Sequence, residues 1–369
     1  MGDVVVAVGY NEDMFLAINE LMKERVRFVL IVLVIALVSY LTFFLTALAY
    51  GLATSYTQGI DKWQASGILL QKDANDNIAR SLLHKTDYEK VTGTDAALLG
   101  VPSATIERDA KKDVALFGIE QASYLQPNIT EGRAVRTDTE VVASDALKKI
   151  GLRLGDVFSF QGGETKYMVV GFSNRATFQA APIVYMNLSE WRAAASELSG
   201  MTAMRDATTV SAVVTKNDMG ALAYPTDVMN WRTIRDFSFK LPGYNAQVLT
   251  FSTMIIFLIV IASFVLAIFM YILTLQKKPV FGVLKAEGVP NRYIARSVKG
   301  QIVILSLLGM AIGLVLTLVT GAALADKVPF LVNPLFYLAI VVLFLLGAAI
   351  GGVASVWAVT KIDPVEAIG

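Results

Sequence analysis

Apolar and polar positions along the 369-residue chain are gathered into blocks. Four stretches hold no Asp, Glu, Lys or Arg: Phe28–Ile60, Leu241–Gln276, Gly300–Ala325 and Val328–Thr360. Each exceeds the roughly 20 apolar residues that a helix needs to cross a hydrocarbon core. Their apolar centres predict four transmembrane helices at residues 28–53, 250–275, 302–324 and 331–359. The first run is longer than the roughly 7–15 apolar residues of a signal peptide, and no small-x-small cleavage site follows it cleanly, so a retained anchor is expected.

Between the first two spans, residues 54–249 have a different pattern. Short β-type runs stand at Glu140–Ala143, Asp156–Phe160, Lys166–Phe172, Ile183–Met186 and Val210–Thr215, separated by turn signals. Helical patterns lie at Ala74–Leu83, Asp145–Ile150 and Ser189–Glu197. The expected fold is therefore an integral membrane α-helical protein, with a large α+β extracytoplasmic domain inserted between helices one and two. A segment of this length can bury a core of its own, which it needs, because the chain has no cysteine to form a disulfide.

Composition sharpens this picture. Hydrophobic residues make up 55% of the chain and charged residues 17%, against about a quarter charged in soluble domains. That excludes an ordinary soluble protein, and disorder with it. A net charge of +1 argues against nucleic-acid binding, which calls for a basic excess.

Basic residues set the expected orientation. Lys23, Arg25 and Arg27 precede the first span, and Lys361 follows the last. The loop over 276–301 carries Lys277, Lys278, Lys285, Arg292, Arg296 and Lys299 against one acid, Glu287. Both termini, the N-terminal segment 1–27 with its amphipathic helix, the loop and the tail 360–369 are thus expected on the cytoplasmic side of a cell membrane.

Several residues could carry mechanism. In the loop, Pro279 suits the first turn of a short helix, Gly288 and Pro290 suit its end, and Phe281, Val283 and Leu284 give it an apolar face, with Lys285 and Glu287 facing elsewhere. Such a helix can press into a groove on a soluble partner, although the basic residues alone would fit a plain cytoplasmic loop. In the first span, Ser39, Thr42, Thr46, Ala49 and Ala53 form a narrow face of small residues beside an aromatic face of Tyr40, Phe43, Phe44, Ala47 and Tyr50. The pattern fits helix packing first; the functional alternative is a dimer interface whose aromatic flank holds a flat apolar ligand. Gly309, Gly313, Thr317 and Gly321, then Gly347, Gly351 and Ser355, repeat the small-residue theme. No span carries an ionisable Asp, Glu, Lys, Arg or His, which disfavours a proton relay. No G-x-x-x-x-G-K-[ST] motif occurs, and the single His84 has no nucleophile beside it in sequence. The chain is expected to bind and move rather than catalyse.

The loop Gln276-Lys-Lys-Pro-Val-Phe-Gly-Val-Leu-Lys-Ala-Glu-Gly-Val-Pro-Asn-Arg-Tyr-Ile294 and the tail Lys361-Ile-Asp-Pro-Val-Glu-Ala-Ile368 resemble the MacB/FtsX-type, or type VII, ABC transporter permeases. The exterior run from Val141 to Asp156, ending Gly-Leu-Arg-Leu-Gly-Asp, is similar to a further pattern of that family. Phe15–Leu21 and the form of the loop look most like the DevC/haem-efflux subgroup, although Glu287 stands where the family often has a small or apolar residue. The resemblance implies a homodimeric permease in the lipid bilayer, with no cofactor of its own. A separate cytoplasmic ABC ATPase would bind ATP and engage the loop through Pro279, Phe281, Val283, Leu284, Lys285, Glu287 and Arg292. Haem becomes the implied cargo, expelled from the outer leaflet. Histidine, the usual haem ligand, is missing from the spans, so Tyr40, Phe43, Phe44, Tyr50, Tyr56, Tyr244 and Met254 are the candidate substrate contacts, the tyrosines and the methionine being possible ligands. Two other readings stay open: a transmitter that drives an exterior cell-wall hydrolase, and export of drugs or lipoproteins.

Overall fold

The computed structural model describes residues 25–91, 95–101, 103–107, 111–199, 208–218, 222–276, 278–324 and 327–360. The expected N-terminal helix, including Phe15–Leu21, and the Lys361–Ile368 motif lie outside the described residues.

In chain order, helix α1 (Arg25–Asp61) is followed by strands β1 (Gly67–Gln71), β2 (Ala96–Gly100), β3 (Ser103–Glu107), β4 (Lys112–Ile119), β5 (Ile129–Gly132), β6 (Glu140–Ser144), β7 (Val157–Phe160), β8 (Lys166–Ser173), β9 (Thr177–Phe178) and β10 (Ala181–Asn187). Helix α2 (Leu188–Ser199) leads to β11 (Ala212–Thr215), β12 (Met229–Thr233) and α3 (Ile234–Lys240). Helices α4 (Tyr244–Gln276), α5 (Lys278–Ala286), α6 (Asn291–Leu324) and α7 (Pro334–Thr360) complete the described chain.

Among the described residues, three helices are long and apolar enough to cross a membrane: Phe28–Asp61 within α1, α4 and α6. The fourth expected span corresponds to a shorter apolar stretch, Pro334–Ile350, in α7. Asn333 caps α7 through its Oδ1, which accepts from the Leu335 amide at 3.0 Å, and Pro334 fills the first helical position at no cost in hydrogen bonds.

The chain divides into two units, one of residues 1–51 with 249–369, the other of residues 52–248. In the helical unit, Phe28, Ile31 and Ile35 of α1 pack with Phe281 of α5, Ile294, Val298 and Ile302 of α6, and Ile340 and Phe344 of α7. In lipid such packing rests on close van der Waals approach and interhelical hydrogen bonds, because hydrocarbon is as apolar as leucine.

In the second unit the strands form one sheet in the order β12-β1-β11-β2-β4-β3-β7-β8-β6-β10-β9, with β5 alongside β8. An added β4–β10 pairing closes β4, β3, β7, β8, β6 and β10 on themselves. Period-two alternation sends neighbouring residues to opposite faces. Val184 and Met186 enter one core with Trp191, Phe160 and Val114, and Ile183 and Tyr185 enter the other with Phe117 and Ile68. Strands buried on both faces read as continuous apolar runs. The helix expected over Ala74–Leu83 is absent: after a 3-10 turn at Lys72–Ala74, Asn75 and Asp76 turn left-handed (φ +52° and +60°). These short polar side chains tolerate that region, and the turn ends there.

Candidate functional site

The basic loop folds as α5 with a glycine stop. Gly288 takes φ +88°, its amide donates to the Lys285 carbonyl at 3.0 Å, and the Val289 amide donates to Leu284 at 3.0 Å. This pair of bonds satisfies the last carbonyls of the helix. The expected apolar face is split. Phe281 is buried and Leu284 packs beside it on the helical core, whereas Val283 is exposed. The outward stripe comprises Pro279, Val280, Val283, Ala286 and Glu287, at i, i+1, i+4, i+7 and i+8. Lys285 is half-buried, and Arg292 is exposed at the start of α6. Phe281 thus anchors one face of α5 in the helical core and Gly288 ends it, while the stripe from Pro279 to Glu287 is exposed.

The small-residue face of α1 is occupied within its own chain. Ser39 and Thr42 are fully buried and Thr46 is nearly so. The Ser39 hydroxyl donates to the Ala36 and Gly309 carbonyls at 3.2 and 3.3 Å, and Thr317 Oγ1 donates to the Tyr40 carbonyl at 3.3 Å. Over Ser39 to Thr46 the face packs on α6, while Ala49 and Ala53 stay half-buried. The physical reason lies in Gly309 and Gly313, whose missing side chains let the α1 backbone come close.

The aromatic face beside it also has partners. Phe43 is 1% exposed and lies 4.9 Å from the Tyr337 ring, whose hydroxyl donates to the Phe43 carbonyl at 3.1 Å. Tyr40 lies 5.9 Å from Phe44 and donates to Thr320 Oγ1 at 3.4 Å. Phe44 meets Phe330 at 5.7 Å, and Tyr50 meets Phe336 edge-on at 5.4 Å. Met254 on α4 is 43% exposed. In the other unit, Tyr244 stands 5.7 Å from both Tyr56 and Phe239. Sequence spacing did not bring out Phe239, Phe330, Phe336 or Tyr337. Phe330, Phe336 and Tyr337 stand near the start of the last apolar run, which was the available signal, whereas Phe239 lies among charged residues.

The remaining polar features of the second unit hold it together. Glu140, nearly buried, accepts from both guanidinium nitrogens of Arg133 at 2.5 and 2.7 Å and from the Arg136 and Thr137 amides. The Arg133 bonds first, then the two amides, outweigh burial and hold its carboxyl down at about 2. Asp76 accepts from Arg232 at 2.9 Å and lies 3.7 Å from Lys240. Among the described residues, no group of three His, Cys, Asp or Glu could hold a metal ion.

Residues 252–364, which include α5, α6 and α7, match the C-terminal domain of FtsX-like permeases. Over that stretch the chain is similar to the FtsX-like permeases. A Staphylococcus haemolyticus protein named as hemin transport system permease HrtB is 25% identical over 359 residues, 96% of this chain and 99% of its own. An uncharacterized ABC transporter permease of Mycobacterium tuberculosis is 22% identical over 365 residues, 96% of this chain and 99% of its own. Among solved structures, the extracellular domain of the noncanonic ABC-type transporter YknZ from Gram-positive bacteria is similar at 15% identity and a TM-score of 0.28, covering 42% of this chain and 85% of that one. The apolar helices α4 and α6, each long enough to cross a membrane, lie within or overlap the matched stretch.

Proposed function

We propose that this permease is the membrane subunit of an ABC efflux system that expels haem from the outer leaflet of a bacterial cell membrane. The observation that carries the substrate is the end-to-end match to proteins named as hemin transport permeases, over 96% of this chain. Two copies pair in the bilayer, both termini face the cytoplasm, residues 54–249 lie outside, and each copy engages a separate ATPase.

Geometry supports three parts of this reading. The outward stripe of α5, from Pro279 to Glu287, suits a groove on the ATPase, with Arg292 beside it. Leu30, Leu33, Leu37 and Leu41 of α1 are 40–57% exposed and, with the free surface of α4, suit the second copy. In the second unit, Tyr56 with Tyr244 suits contact with a flat apolar ligand; in the helical unit, taken by itself, so do the exposed Met254 and the outer edges of Tyr40, Phe44 and Tyr50, while Phe43 would act from behind, by holding Tyr337.

The test is reconstitution of the full chain with its ATPase in nanodiscs. Haem should stimulate ATP hydrolysis and show a shifted Soret band on binding. Neither effect with haem, together with stimulation by another amphiphile, would sink haem and keep the permease. Absence of any substrate response, with retrieval of a cell-wall hydrolase, would favour the mechanical reading of an FtsX-like chain.

A further inference from the structure

The second unit carries a cleft of about 440 Å³ that the transport reading does not use, lined by Glu131, Lys148, Leu152, Arg153, Leu154 and Phe172. Leu152 and Phe172 are each 1% exposed and form its floor, and Leu154 is 39% exposed. The Lys148 ammonium sits 4.5 Å from the centre of the Phe172 ring and pairs with the Glu131 carboxylate.

The Gly-Leu-Arg-Leu-Gly-Asp run builds this cleft by backbone means. A 3-10 helix over Asp145–Ile150 ends at Gly151, with φ +85°. The Gly151 amide donates to Lys148, and the Leu152 amide donates to Leu147 at 3.3 Å. Gly155, with φ +82°, donates to the Val169 carbonyl at 2.8 Å. The Arg153 amide is held by Asp156 Oδ2 at 2.9 Å. A Cβ at either glycine would meet nothing within 4 Å, so the left-handed turn, and not space, calls for glycine. The run fixes Arg153 and Leu154 at the cleft, with Leu152 tucked beneath.

We propose that this cleft binds a small amphipathic anion, a carboxylate or phosphate headgroup on an apolar stem. The headgroup takes charge-assisted bonds from Lys148 and Arg153, and the stem lies along Leu152 and Leu154. The volume is in the range of small-molecule sites. Glu131 holds Lys148 in the meantime: its side chain is 49% exposed and that of Lys148 42%, and ion pairs so exposed are weak. An arriving anion displaces Glu131, and Lys148 turning toward it uncovers the face of Phe172. The headgroup comes from a lipid or from the propionates of a porphyrin.

The test uses the full chain in nanodiscs and a fluorine-labelled 4-phenylbutyrate followed by fluorine NMR. Saturable binding is expected, weakened about tenfold by Lys148→Gln or Arg153→Gln. Glu131→Gln should tighten it severalfold, because a competing carboxylate is gone; a merely structural role for the Glu131 pair would weaken it instead. Lys112→Gln, exposed on β4, should leave it unchanged, and circular dichroism checks that each variant is folded. Equal binding of the uncharged amide, or no effect of Lys148→Gln and Arg153→Gln, would overturn the proposal. Displacement of the probe by palmitate but not hemin assigns the headgroup to lipid, displacement by hemin assigns it to propionate, and displacement by neither overturns the site. These isotherms need no ATPase, so they stand or fall apart from haem-stimulated hydrolysis.

Discussion

The Ser39 hydroxyl oxygen lies 2.2 Å from where a Cβ on Gly313 would sit, so the two residues occupy a contact that only glycine permits. Helix α1 and helix α6 meet there with almost no side chain between them. Leucine at position 313 must push α1 away and break the hydroxyl bridges at Gly309 and Thr317. Gly313→Leu should lower stability by about 1–3 kcal/mol or more, read as thermal unfolding in detergent. Gly300→Ala on the same helix, where a Cβ meets nothing within 4 Å, should be neutral or stabilise by up to about 1 kcal/mol. Equal effects of the two would show that the close approach is not what holds the helices.

Helix α5 separates folding from partnership. Phe281→Ala empties a buried site and should cost about 3 kcal/mol, seen in the same unfolding assay. Val283→Asp alters only an exposed position. It should leave the unfolding temperature alone and reduce retention of the proposed ATPase subunit on the immobilised chain more than tenfold. If both variants lose stability alike, the outward stripe is structural.

Glu140 predicts an acid response. Its folded carboxyl titrates at about 2, below the ordinary 4.5, chiefly through Arg133. A depressed carboxylate contributes stability that is fully present above the unfolded value and is lost as pH falls from about 4.5 toward 2. Denaturant unfolding of the wild-type chain should therefore weaken across that window. Glu140→Gln should start less stable by about 1.5–3 kcal/mol and change less between pH 5 and 3. A wild-type profile that is flat over the same window would remove the Arg133 clamp as the cause.

Asp76 joins the left-handed turn after β1 to β12 and to the last turn of α3 through Arg232 and Lys240. Asp76→Asn keeps a side chain that tolerates φ +60° but removes the charge. Amide exchange should quicken in β12 and α3 and stay unchanged in β7 and β8. Uniform quickening would mean that the ion pairs support the whole sheet.

The charge-free runs were legible because a helix in lipid cannot carry stray charges. Strands β8 and β10 were legible because sheets buried on both faces show as apolar runs. Strands β1 to β5 were not. Strand β3 (Ser-Ala-Thr-Ile-Glu) and β5 (Ile-Thr-Glu-Gly) are short and half polar, and they exist through pairing with β4 and β8. The amphipathic look of Ala74–Leu83 misled because Asp76 is recruited by Arg232, a residue 156 positions away. For the candidate site, periodicity found α5 but could not order its faces: Phe281, Leu284 and Val283 are all apolar, and only the surrounding helices decide which are covered. The small stripe of α1 had the same ambiguity, since a stripe does not name its partner.

Helix α4 has a consequence of its own. Only 6% of its most apolar window is buried, and among its described residues Ala262 and Thr274 alone are fully enclosed. Most of its side chains therefore add nothing to the cohesion of a single chain. An alanine scan of Ile256, Phe257, Ile261, Phe264 and Ile268 would leave melting behaviour almost untouched, so any lost transport at those positions would be a fault of action and not of folding. Substitutions on this helix are thus released from the folding constraint that Gly313 places on α6.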